Sequence, residues 1–191
     1  VAHMDEIGLV IQSISNAGII KVSFVGGIDP STCLNLRVKI ETKKKDTFIS
    51  GIITTVGISH FLEIEEVPTK GDLIIDSGLN KKELMKLGIG IGTFVEFDAK
   101  ALFLGSKEYL CGKALDDRVG CYALLELIKK CKKFQTEIYY VFTVQEEVGL
   151  YGAKTSIYNI HPEWAIAIDI TAANDTEEDA QNITLALGKG P

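Results

Sequence analysis

Residues 114–130, ALDDRVGCYALLELIKK, mark the point at which the sequence changes period. Apolar residues fall at 119, 123, 124, 127 and 128, the i, i+4, i+5, i+8, i+9 stripe of an amphipathic helix. Asp116 and Asp117 stand at its start and lysines at its end, so the charges complement the helix dipole. Downstream come EIYYVFTV (137–144), a helix expected from about Gly152 to Asn159, WAIAIDI (164–170) and NITLALG (182–188). Apolar strands alternating with helices predict an α/β layer around a buried, mostly parallel sheet.

Upstream, from Leu9 to about Phe97, the text consists of short β-branched runs broken by Gly and Asn: LVIQSI, GIIKVSFV, LRVKIET, FISGIITTV and GTFVEF. That pattern predicts a small β-barrel or sandwich. One short helix interrupts it, with Asn80 able to cap KKELMKL and Gly88 able to end it in the left-handed conformation. The β-rich block therefore reads as an insertion: residues 1–7 and 106–191 form an α/β body, split by residues 8–105. Lys43, Lys44 and Lys45 read as a solvated hairpin tip, and Trp164 with Tyr139, Tyr140, Tyr151 and Tyr158 as core or interface residues.

Composition narrows the function classes. The 191 residues are 46% hydrophobic and 24% charged, which is globular and excludes disorder and a disulfide scaffold. A formal charge of −6 is a poor footprint for nucleic acid or anionic lipid. No apolar run approaches the ~20 residues of a spanning helix, and the start carries no signal-peptide core. The four cysteines (Cys33, Cys111, Cys121, Cys131) form no CxxC pair and read as reduced, partly buried thiols, so a cytoplasmic protein is expected. Val1 is not an initiator Met and Pro191 comes closely after a strand, so residues are expected to be missing at both ends.

Four acidic or histidine-bearing clusters fall at the ends of expected strands, where open α/β sheets place their sites. In His3-Met4-Asp5-Glu6, residues two apart on a strand share a face, so Asp5 can hold the second ring nitrogen of a metal-bound His3; a hydrogen-bonded core histidine fits the same spacing. Asp116-Asp117 stands at a strand-to-helix entry, where acidic caps are also common. Glu146-Glu147 comes after the strand EIYYVFTV; adjacent carboxylates at a buried strand end call for a cation, unless one of them faces water. Asp169 is a lone charge in the apolar run AIAIDI, to be compensated by a metal, an arginine or a helix terminus. One imidazole with three or more carboxylates suits zinc, cobalt or manganese. Two such ions can activate water and polarise a carbonyl while a free carboxylate relays the proton.

AHMDEIG, KALDDRVG, FTVQEEVGLYGA and AIDIT, in this order, closely resemble the dinuclear metallo-aminopeptidases of peptidase family M forty-two, the TET or deblocking aminopeptidases. The resemblance spans nearly the whole chain, and VGGIDP (25–30) with Gly51 to His60 is similar to that family's β-rich dimerisation domain. It implies a zinc-exopeptidase-like α/β/α body and two divalent metal ions, zinc or cobalt, with manganese also tolerated. His3 and Asp169 would ligate one ion, Asp116 would bridge, Glu147 would ligate the second, Glu146 would be the general base and Asp5 would orient His3. The Asp116-Asp117 peptide would be cis. The implied function is removal of N-terminal residues from short peptides by a homo-oligomer, a dodecameric shell built from dimers. The family's histidine on the second metal has no counterpart here, since His60 lies in the insertion and His161 has a different context. A related dinuclear amidohydrolase, a glycan hydrolase and a non-catalytic assembly subunit of the same fold remain alternatives.

Overall fold

Short runs rich in Val, Ile and Leu, alternating with polar residues in strands such as Arg37–Glu41, produce the β-rich part of the chain. In the computed structural model, which describes residues 1–55, 68–131, 133, 135–173, 175 and 185–189, six strands close into a barrel in the order β2-β3-β6-β5-β4-β7. They are β2 (Gly8–Ile14), β3 (Ile20–Val25), β4 (Arg37–Glu41), β5 (Phe48–Thr55), β6 (Leu73–Asp76) and β7 (Phe94–Phe97). Leu9 and Ile11, Ile20 and Val22, Val38 and Ile40, Ile53, Leu73 and Ile75, and Val95 all point inward and are buried. At ~1.5–3 kcal/mol for each aliphatic side chain removed from water, this interior is the main stabilising term of the barrel. The inward position Gly51 has no room for more, because a Cβ there would come within 2.6 Å of Ile75 Cγ2.

Helix α1 (Lys81–Lys86) starts in a full capping box: Asn80 accepts the Glu83 N–H, and the Glu83 side chain accepts the Asn80 N–H. It buries Leu84 completely in the barrel core, and the chain turns at Gly88 with φ +79°, the left-handed ending that the sequence predicts. Lys43, Lys44 and Lys45 lie exposed between β4 and β5, as expected of a hairpin tip. Two elements here are unanticipated: β6, and the hairpin β8 (Leu102–Leu104) with β9 (Tyr109–Cys111). Cys111 is exposed on β9 rather than partly buried, and all four cysteines are free. Residues 6–114 with 147–149 form one compact unit.

Residues 1–5, 115–146 and 150–191 form the other unit. At its centre β1 (Ala2–His3) pairs in parallel with β10 (Phe142–Thr143). On the opposite edge of β1, Ile168 N–H donates to the Val1 carbonyl at 2.9 Å and the Val1 amine donates to the Ile166 carbonyl at 2.8 Å. The expected mostly parallel sheet is thus reduced, among the described residues, to one two-residue ladder flanked by these hydrogen bonds. Residues 137–141 and 164–170 form no strand, and β1, two residues long, offers too few main-chain groups to pair a longer ladder with either. Of NITLALG, residues 182–184 lie outside the described residues.

Helix α2 (Leu115–Lys130) packs on β1, and α3 (Tyr151–Ile160) fulfils the second helix expectation. The face that α2 buries differs from the expected stripe. Asp117, Gly120, Cys121 and Leu124 are inside, whereas Val119, Leu127 and Ile128 are exposed. Asp116 and Asp117 carry non-helical dihedrals, so the regular turns begin only after them. The small residues Gly120 and Cys121 then let the helix approach β1, where Ala2, Cys121 and Leu124 form the core with Tyr140, Phe142 and Ile168. Trp164, Tyr139, Tyr151 and Tyr158 are exposed, not core, residues of this unit. No helix among the described residues is long and apolar enough to cross a membrane.

Candidate metal centre

His3 ends β1 as a buried residue. Its main chain is held from both sides by α2: its N–H donates to Asp117 Oδ2 at 3.1 Å, and its carbonyl accepts from Cys121 Sγ at 3.0 Å. The backbone that carries the ring is therefore held in place by α2. Its Nε2 lies 2.9 Å from Asp116 Oδ1 and 3.8 Å from Glu146 Oε2. Its Nδ1 lies 3.5 Å from Asp5 Oδ1 and makes no hydrogen bond, although it is buried. Burial pulls the imidazole pKa down, but the hydrogen bond to Asp116 and the charges of Glu146, Asp116 and Asp5 outweigh it and hold it above the ordinary value.

Asp116 is half-exposed, at 48% of its side chain, and the peptide that joins it to Asp117 is cis, as the resemblance implies. Glu146 stands just after β10, on a loop stitched to the start of α3. Gly152, Tyr151 and Leu150 donate their N–H groups to the carbonyls of Val144, Gln145 and Glu146 at 2.9–3.0 Å, which satisfies donors that a helix start otherwise leaves open. Gly152 must be glycine there, because a Cβ would run into the Val144 carbonyl oxygen. Asp5 Oδ1 accepts the Glu146 N–H at 3.2 Å, so one carboxylate touches both the histidine ring and the Glu146 loop.

Asp169 departs from expectation. It is exposed rather than buried in an apolar strand, and its Oδ1 caps the Ile170 N–H at 2.8 Å. Ligand atoms of His3, Asp117 and Asp169 nevertheless lie within 4.8 Å of one another. Glu147 falls in the 147–149 segment of the β-rich unit, over Gly26: a Cβ on Gly26 would meet Ile7 Cγ2 at 2.6 Å and Glu147 Oε2 at 3.1 Å. His161 is exposed at the C-terminus of α3, and His60 lies outside the described residues.

The residue that sequence reasoning passed over is Asp117. Its carboxylate has no exposed surface and accepts both His3 N–H and Gly120 N–H, each at 3.1 Å. The available signal was the glycine three residues on, since a Cβ at Gly120 would overlap that carboxylate.

The donor set fits a divalent cation. Asp5, Asp116, Glu146, Asp117 and Asp169 all lie around one imidazole, whose Nε2 faces Asp116 and Glu146. Nitrogen and carboxylate oxygen together suit zinc, cobalt or manganese, and Nδ1 toward Asp5 with Nε2 toward the remaining carboxylates is the orientation of a histidine whose far nitrogen ligates.

Comparison with known proteins identifies the family of the chain. The family model described as M42 glutamyl aminopeptidase matches residues 1–191. The lysyl aminopeptidase of Pyrococcus furiosus is 34% identical over 194 residues, covering 100% of this chain and 55% of its own length. The solved structure of an aminopeptidase from the archaeon Desulfurococcus kamchatkensis superposes with a TM-score of 0.89 at 39% identity, over 100% of this chain and 52% of that one. The TET1 peptidase of Pyrococcus horikoshii, which can assemble into a tetrahedron or a large octahedral shell, matches with a TM-score of 0.78 at 33% identity, over 92% of this chain and 55% of that one. The chain thus spans about half the length of the relatives it matches.

Proposed function

The chain belongs to the M42 glutamyl aminopeptidase family, and from that premise we propose that the protein is a metal-dependent aminopeptidase that removes N-terminal residues from short peptides. The observation that carries this reading is the buried His3 ring facing Asp116 and Glu146 on one side and Asp5 on the other. In this reading His3 and Asp169 would hold one divalent ion and Glu147 a second, with Asp116 contributing to both; zinc or cobalt suits this set best and manganese is tolerated. Cations in such a site supply Lewis-acid polarisation of a peptide carbonyl and water activation near neutral pH.

The chain's own groups do the rest. Glu146 takes a proton from the attacking water and returns it to the leaving amine. Its oxygen is 3.8 Å from His3 Nε2, close enough to serve the same reacting centre without being needed as a ligand. Asp5 lies 3.5 Å from His3 Nδ1, where a small approach would let it orient the ring, and it holds the Glu146 backbone, so base and ligand keep one relative placement.

The β-rich block, residues 8–105, is the inserted dimerisation domain in this reading, with the α/β body on either side of it in sequence. Its closed barrel supports that role, as does the exposure of Phe48, Ile52 and Phe94 on its outer surface. A homo-oligomeric shell of dimers is inferred by analogy with the Pyrococcus horikoshii TET1 peptidase. Four free thiols favour a reducing, cytoplasmic setting.

The test uses the full-length chain and a short peptide supplied with either a free or an acetylated N-terminus. Release of the first residue from the free form only, lost on chelation and regained with cobalt or zinc, is expected. Cleavage of internal bonds, or release of sugar from cellulose, contradicts it.

A further inference from the structure

Lys113 is a partly buried cation whose ammonium is shared by two carboxylates. Its Nζ donates to Glu6 at 2.7 and 3.0 Å, to both oxygens, and to Glu96 Oε2 at 2.7 Å. Burial opposes its charge, but these two partners outweigh burial and raise its pKa above the ordinary lysine value. Glu96 lies on β7, opposite Lys39 of β4 in the barrel register. Lys39 Nζ is in turn 3.9 Å from Glu96 and 3.4 Å from Asp98. The ion cluster is therefore anchored on rigid strands.

Glu6 and Lys113 are 107 residues apart in sequence, yet they are joined by two charge-assisted hydrogen bonds. Each sits three residues or fewer from a site residue: Glu6 comes directly after His3-Met4-Asp5, and Lys113 precedes Ala114-Leu115-Asp116. Three residues of extended chain reach at most ~10 Å, so a fixed Glu6–Lys113 spacing strongly limits how far Asp5 and Asp116 can separate. Resting on the aminopeptidase reading above, we propose that Lys113 is a positioning residue: by clamping Glu6 to Glu96 it sets the distance between the segment carrying His3 and Asp5 and the segment carrying Asp116. It touches no substrate and ligates no metal.

The experiment compares wild type, Lys113→Met, Lys113→Arg and Lys39→Met in the full-length chain. In metal-free protein, amide exchange of residues 2–5 and 115–118 is expected to quicken at least about tenfold in Lys113→Met, with the barrel strands unchanged. Cobalt affinity falls about tenfold and kcat drops with little change in KM, as for other groups that orient ligands from behind. Lys113→Arg restores all three, and Lys39→Met, at the rim of the cluster, changes none. Wild-type exchange at residues 2–5 and 115–118 in Lys113→Met overturns the clamp, as does general loosening of the barrel. The exchange measurement needs no metal, so it decides the clamp even if wild type binds no cobalt and cleaves no peptide, a result that overturns the aminopeptidase reading alone.

Discussion

Asp117 Oδ2 accepts the main-chain N–H of His3 at 3.1 Å, so the second residue of the Asp-Asp pair supports the backbone of the histidine whose ring meets the first. A carboxylate with no exposed surface that receives two backbone donors is a structural anchor for the site. Replacing Asp117 with Ala leaves the N–H groups of His3 and Gly120 buried and unpaired, each at a cost of about 1–3 kcal/mol. Urea unfolding is expected to show that loss in the midpoint, and cobalt affinity should fall with it. A wild-type midpoint would show that the anchor does not hold.

Gly120→Ala carries a prediction of reversed sign. Within an exposed helix this change stabilises by about 1 kcal/mol, because glycine has more backbone freedom to lose. Here the new Cβ overlaps the Asp117 carboxylate, so a destabilisation of about 1–3 kcal/mol is expected from the forced shift. Calorimetry gives the sign directly, and a raised Tm contradicts the packing described.

The pH dependence of the barrel is legible at Asp29, which caps the 3-10 turn Pro30–Cys33. The Ser31 hydroxyl, then the Ser31 N–H, hold its carboxyl below the usual 3.8. A lowered folded-state pKa gives stability that is fully present above 3.8 and lost as pH falls through the folded value. Asp29→Asn should therefore flatten that part of the acid limb by lowering stability near neutrality, with the variant converging on wild type as pH falls below the folded value. NMR titration showing Asp29 at or above 3.8 removes the basis for this.

How far the sequence speaks for itself varies with the physics involved. The barrel strands were legible because β-branched runs broken by Gly and Asn mark them, and in β4 the buried Val38 and Ile40 alternate with the polar Arg37, Lys39 and Glu41. β6 and the 102–111 hairpin escaped, the first as a short run of consecutive buried residues, Leu73-Ile74-Ile75, the second because every residue of both strands is exposed and no face is marked. Helix α2 was placed correctly but turned wrongly, since apolar residues surround it and the buried face is chosen by the small residues Gly120 and Cys121. At the site, His3, Asp5, Asp116 and Glu146 come together through ordered motifs. Asp117 stayed hidden because it acts on main-chain donors, which carry no residue identity to read. Asp169 was misjudged as buried because its apolar neighbours, such as Ile166, are themselves exposed.

The central claim is that Glu146 carries the proton for peptide-bond hydrolysis beside a cation held partly by His3. The most direct measurement is kcat on a short unblocked peptide for Glu146→Gln, in the full-length chain, with bound metal counted in the same sample. The account predicts wild-type metal content with activity reduced by at least about 100-fold, in line with the usual contribution of a positioned general base. Full activity with metal retained would contradict it.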